Sequence, residues 1–208
     1  MKHKSILGWS GELASKDGKY GGGSAASVVG AFASSLAQFV FELQQGKEKY
    51  VDDEERIQSA IRHSTRLTEE LLDLAEEDAD AFNPVMDLFK LPKDTAEEKA
   101  YRQEKIDQGL MEAAKPPFDM LEKMHEVIDL FELLLDLEVR GTIVDDIAVG
   151  LLFTEATIES AKINCMVNIK SIKNDALRKN LTADVDAVYE SALERARTFK
   201  KEAMELIK

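Results

Sequence analysis

Apolar positions recur three and four residues apart along most of the chain, and no run holds the two-residue alternation of a half-buried strand. The pattern predicts helix after helix. A first helix is expected from Ser24 to about Gly46, with Ala26, Gly30, Ser34 and Ala37 forming a narrow face of small residues suited to close packing. A long second helix follows Val51, opened by Asp52, Asp53, Glu54 and Glu55 and carrying Ile57, Ile61, Leu67, Leu71, Leu72, Leu74 and Ala75, until Pro84 stops it near Phe82. Asp94 and Glu97 form a candidate capping pair for a third helix reaching Lys115. Pro116-Pro117 ends that helix and seeds a fourth, with Leu121, Met124, Ile128, Phe131, Leu135 and Val139 on its apolar face and Gly141 placed to terminate it. The cleanest period belongs to a fifth helix from about Asp145, where Ile147, Leu151, Thr154, Ile158, Ala161, Cys165, Asn168 and Ile172 alternate steps of four and three. Thr182 is the expected cap of a last helix. One all-α, multihelical domain of about six to nine helices over residues 1–208 accounts for the whole pattern.

Composition narrows the function classes. Forty acidic against 27 basic residues give a net charge of -13, which repels nucleic acid at long range. The uncharged stretch from Gly21 to Phe41 is as long as a bilayer span, but its glycines, serines and Gln38 favour a buried helix over a membrane helix. Ile6-Leu7-Gly8-Trp9 is too short for the apolar core of a signal peptide, and the single cysteine, Cys165, has no partner for an intrachain disulfide. A cytoplasmic protein is expected, with no nucleic-acid or membrane partner.

The candidate chemistry is sparse. "GGGS" at Gly21 to Ser24 lacks the Lys-Ser/Thr ending of a phosphate loop, yet three glycines at a helix start leave free backbone amides and room for a ligand to approach. The same glycines also suit a plain turn. Glu122 and His125 form one Glu-x-x-His, which di-iron bundles use twice with further glutamates, and neither His3 nor His63 repeats it. No metal site is expected. Asp145-Asp146 stands at the mouth of an otherwise apolar helix, where a carboxylate either caps the helix or faces a cavity. Asp146 and Asn164 share an azimuth on that helix but lie about 27 Å apart, so a ligand touching both is long or bridges two subunits.

"GGGSAASVVGAFASSLAQFV", "EEDADAFNPVMDLFKLPKDTAEEKAYRQEKIDQGLMEAAKPP", "DDIAVG" and "AKINCMVNIKSI", in this order and spacing, resemble the formiminotetrahydrofolate cyclodeaminase and methenyltetrahydrofolate cyclohydrolase family over about Leu13 to Ile172. The resemblance implies an all-helical homodimer with a reduced folate site lined by the glycine loop and helix ends near the subunit interface. It implies chemistry at the 5,10-methenyl ring of tetrahydrofolate, exchanging water or ammonia, with no cofactor beyond the tetrahydrofolate substrate. Asp146 is the candidate acid/base. Gly21, Gly22, Gly23 and Ser24 are candidate walls, and Phe82 either stacks on the pterin or fills core. Lys93 and Arg102 are candidate partners of the anionic tail or plain surface charges, and Asn164 and Asn168 bond a pterin edge or a neighbouring helix. The chain departs from the family at Lys19-Tyr20, where a proline is usual, and at Asp145, where a serine is usual. The absence of a transferase domain in this sequence tilts the reading toward the cyclohydrolase. A catalytically silent helical dimer that binds folate or a protein partner is the second reading.

Overall fold

In the computed structural model, residues 4–207 are described, and among them the chain forms eight α-helices and no strand. They are α1 (Ile6–Leu13), α2 (Gly22–Gln44), α3 (Glu54–Ala81), α4 (Asn83–Leu88), α5 (Ala96–Ala113), α6 (Lys115–Asp136), α7 (Val144–Ile169) and α8 (Asp175–Leu206). A short 3-10 segment, Glu48–Asp53, leads into α3.

The uncharged helix α2 is the hub. It packs against α3, α6 and α7, with α2 and α7 running in opposite directions. It is long and apolar enough to cross a membrane, but most of it is buried and the hydroxyls of Ser24, Ser27 and Ser34 face protein. Ser27 Oγ donates to the Leu71 carbonyl, Ser34 Oγ to the Ser64 carbonyl, and Thr157 Oγ1 of α7 to the Ala26 carbonyl. Side chain to backbone bonds between helices require close approach, and the small residues allow it. At Gly30 an added methyl would lie 3.0 Å from Met124 Cε and 3.1 Å from Thr157 Cγ2, so three helices converge on one hydrogen atom. Around that point Phe41, Leu67, Leu71, Leu121, Met124, Ile128, Phe131, Ile147 and Leu151 are fully buried.

Several expected boundaries move. Thr95 and Glu98, rather than Asp94 and Glu97, make the capping box of α5, because the Thr95 hydroxyl accepts the Glu98 N–H while Glu98 Oε2 accepts the Thr95 N–H. Helix α6 ends at Asp136, before Gly141, which adopts φ 95° in the following loop. Thr182 lies inside α8, its hydroxyl bonded back to Arg178, whereas Asn174 caps the helix. The buried Asp107 carboxylate fixes that start by accepting the N–H groups of Lys173 and Asn174.

Helix α1 was not expected. Its Trp9 is buried against Tyr20, ring centroids 5.4 Å apart, and the Tyr20 hydroxyl bonds Glu76 at 2.7 Å and Lys4 at 3.1 Å. Tyr20 is therefore a core residue that anchors the loop entering the glycines. His3 lies outside the described residues.

Candidate active site

Where α2 begins, Gly21, Gly22 and Gly23 meet the end of α3, the junction of α5 and α6, and the end of α7. The helix ends leave a cavity of about 220 Å³ lined by Lys19, the three glycines, Asp78, Phe82, Ala113, Asn164, Val167 and Asn168. This is below the roughly 300–1,000 Å³ of pockets that enclose a whole drug-sized ligand, so it takes one ring system and leaves the remainder of a larger molecule outside.

Asp78 is the feature that sequence reasoning missed. It projects from α3 to the start of α2, where its carboxylate accepts both the Ser24 N–H and the Ser24 hydroxyl, the latter at 3.1 Å. Gly21 gives α2 no side-chain cap, so Asp78 supplies one from another helix. Gly23 makes that approach possible, since a methyl there would overlap the Asp78 carboxylate. Gly21 and Gly22 have open space at the same position. Burial pushes the Asp78 carboxyl above its ordinary value, against the two bonds from Ser24 that favour the charged form.

Asn164 and Asn168 close the opposite side. The Asn164 amide donates to the Ser160 carbonyl at 2.8 Å, and the Asn168 amide donates to the carbonyls of Ala113 at 3.0 Å and Asn164 at 3.3 Å. Both N–H donors of Asn168 and one of Asn164 are taken by protein carbonyls, and the amide oxygens are acceptors suited to a ligand. Asn168 thus bonds the neighbouring α5, one of the two alternatives drawn from the sequence, whereas Asn164 bonds within its own helix, and both line the cavity. Lys19, a second residue that sequence reasoning missed, stands at the rim and is paired with Glu76 at 2.7 Å and Asp80 at 3.2 Å. Phe82 is 46% exposed, so it is a wall of the cavity and not core. Ser24 is fully buried and reaches the site through Asp78.

Three predicted residues stand elsewhere. Arg102 donates to the Phe89 carbonyl at 2.9 Å and lies over the Phe89 ring, joining α5 to the end of α4. Lys93 is exposed in the loop before α5. Asp146 lies half-buried in the first turn of α7, the end of that helix remote from Asn164, and its carboxyl is raised by burial and by the adjacent Asp145. Cys165 is buried, its thiol pushed up to about 12 by desolvation, which makes it inert. His125 faces the Val188 carbonyl at 3.3 Å, and among the described residues no group of three His, Cys, Asp or Glu is arranged for a metal ion.

Residues 5–187 match the model of the formiminotransferase-cyclodeaminase family. The chain is 33% identical over 182 residues to a methenyltetrahydrofolate cyclohydrolase of Methylorubrum extorquens, covering 86% of each protein. It is 26% identical over 198 residues to the formimidoyltransferase-cyclodeaminase of Sus scrofa, spanning 94% of this chain but 36% of that longer protein. The crystal structure of formiminotetrahydrofolate cyclodeaminase from Thermotoga maritima superposes with a TM-score of 0.80 at 25% identity, covering 98% of both chains. The agreement extends over the whole helical core that builds the cavity, and the chain belongs to the formiminotransferase-cyclodeaminase family.

Proposed function

We propose that this one-carbon folate enzyme acts at the 5,10-methenyl ring of tetrahydrofolate, opening it with water as a methenyltetrahydrofolate cyclohydrolase. The observation that carries the choice is the 33% identity, over nearly the full length of both proteins, to a relative of that name. The cavity chemistry supports the substrate class. A pterin presents N–H donors along one edge, and the Asn164 and Asn168 oxygens are acceptors. The exposed ring of Phe82 offers an apolar face for stacking. Beyond it α4 spans six residues, about 9 Å, to Phe89, Lys93 and Arg102. Lys93 and Arg102 lie outside the cavity lining, and they serve the anionic tail in this reading only as partners of the part of the folate that the cavity leaves outside. The tetrahydrofolate substrate is the only small molecule the reaction requires, and the proposed setting is the cytoplasm.

The same reading includes a homodimer. Val149, Leu152, Ile163 and Val167 form an exposed apolar stripe along α7, beside Phe32, Phe39 and Leu43 on α2. Such a two-helix face is suited to a second copy. Because Asp146 and Asn164 share an azimuth, pairing two α7 helices antiparallel about a twofold axis sets Asp146 of one chain level with the Asn164 end of the other. Asp146 then supports the cationic methenyl carbon electrostatically from across the interface.

The test is to mix purified protein with methenyltetrahydrofolate and follow loss of the methenyl absorbance, with ammonia release from the formimino form measured in parallel. Faster methenyl hydrolysis is expected. Ammonia release alone moves the assignment to the cyclodeaminase, and no acceleration of either reaction overturns the enzymatic reading. Calorimetric binding of a reduced folate without turnover is the outcome that favours a silent binding dimer.

A further inference from the structure

We infer that Asp78 is the proton-transfer residue of the cavity, held in place by Gly23 and Ser24. This inference rests on the folate reading and adds to it the group that moves the proton.

Within one chain Asp78 is the carboxylate that lines the cavity on the side facing the asparagines. Its position is built rather than incidental. Gly23 is buried and lacks the methyl that would displace it, and the Ser24 hydroxyl and N–H hold it from one side. Among the described residues no cation is paired with it that would pin it as a permanent anion. Lys19 at the rim is paired with Glu76 and Asp80, α7 brings Asn164, Asn168 and the inert Cys165, and Ala113 ends α5. A carboxyl whose acidity is weakened by burial, facing a cavity with neutral amides opposite, is a better proton acceptor than a free aspartate and can return the proton it takes.

The step balances as follows. A water oxygen bonds to the cationic methenyl carbon while one water proton passes to the Asp78 carboxylate, giving a neutral adduct with a hydroxyl on that carbon. The adduct opens when the bond from carbon to N5 breaks and N5 takes the proton from Asp78. The hydroxyl proton leaves to solvent as the formyl C=O forms on N10. Water and the methenyl cation become the 10-formyl form and one proton, and Asp78 is again a carboxylate. In the reverse sense the same group protonates a departing hydroxyl or amine.

Asp78→Asn keeps an acceptor for Ser24 and removes the base. It is expected to lower kcat about 100-fold or more while leaving KM for methenyltetrahydrofolate and calorimetric binding of a reduced folate within about threefold, and to abolish the acid limb of the pH–rate profile. Ser24→Ala, which removes one hydrogen bond to the charged form, is expected to keep KM and move that limb to higher pH. Wild-type turnover with Asp78→Asn above one-fifth of the wild-type rate, or with Ser24→Ala leaving the limb unmoved, overturns this inference alone. A wild-type protein inactive on both folates overturns the functional reading and this inference together.

Discussion

The two ends of α7 carry the polar residues that the sequence makes conspicuous, and they have opposite surroundings. At the C-terminal end, Asn164 and Asn168 face the glycine start of α2 and the carboxylate of Asp78 across a cavity. At the N-terminal end, Asp145 is exposed and Asp146 half-buried, with the Asp146 N–H bonded to the adjacent Asp145 side chain at 3.0 Å. Both ends contain a carboxyl pushed up by burial, but Asp78 faces a cavity lined by α2, the end of α5 and α7, whereas Asp146 is raised further by the like charge of Asp145. A carboxylate at a helix mouth gains chemistry from what faces it, and within a single chain the glycine-lined cavity stands at the C-terminal end of α7.

The sharpest way to break this comparison is at the glycines. Gly23→Ala forces the Asp78 carboxylate to move, and displacement of a reacting group by about 1 Å is enough to lower turnover about 100-fold. Gly21→Ala meets open space at an extended φ of -134° and is expected to stay within about twofold of wild type. Gly21→Ala should keep its melt near wild type, while Gly23→Ala, which pushes the Asp78 cap off Ser24, is expected to lose about 1 kcal/mol and stay folded, too little to account for the rate loss. Equal rates for the two variants would detach the cavity from catalysis.

The Asp146 end is tested by disrupting the proposed dimer. Leu152→Glu and Ile163→Glu place charges on the exposed stripe of α7, and light scattering is expected to show monomers. Asp146→Asn in the dimer is expected to slow turnover about tenfold, the effect of about 1.4 kcal/mol in transition-state stabilisation. The interface variants should show the same loss, recovered in part at high protein concentration. Dimers that persist with full activity would leave Asp146 a helix-end residue alone.

The sequence made the architecture legible because each core helix has a long apolar period and its stops are prolines or capping residues, as at Pro84 and Pro116-Pro117. Boundaries set by tertiary contact were not legible, as where Asp107 fixes the start of α8 and leaves Thr182 inside the helix. The site divided in the same way. The glycines, Phe82, Asn164 and Asn168 were visible as exceptions in otherwise regular stretches, and the structure brings them together. Asp78 was hidden because Glu76, Glu77, Asp78 and Asp80 have one composition and only the arrival of Gly23 beside one of them separates their roles. Lys19 is not legible because nothing in the sequence says which of two adjacent residues enters the core, and Tyr20 turns into it while Lys19 takes the rim.

The smallest effect expected distinguishes Asp78 from its neighbour two residues back by the sign of its contribution to stability. Glu76 is opposed by burial, but its bonds with Lys19 and Tyr20 outweigh that and lower it to about 2. Its stabilisation is present above the ordinary glutamate value and is lost as pH falls toward about 2. Glu76→Gln is therefore expected to lower Tm at pH 7 by about 2–4 °C, the equivalent of roughly 1 kcal/mol for a partly exposed pair in a chain of this size. Asp78 runs the other way. Its folded value is raised, so the native chain holds the proton more tightly than the unfolded chain and loses stability as pH climbs through the window between the two values. Asp78→Asn removes that loss, so its Tm at pH 7 is expected to exceed wild type, with the gain vanishing below the ordinary aspartate value. Calorimetric melts of both variants from pH 3 to pH 8 measure the two signs together. A destabilised Asp78→Asn at neutral pH would make Asp78 a cap for α2 first, with Ser24 contributing more than burial withdraws.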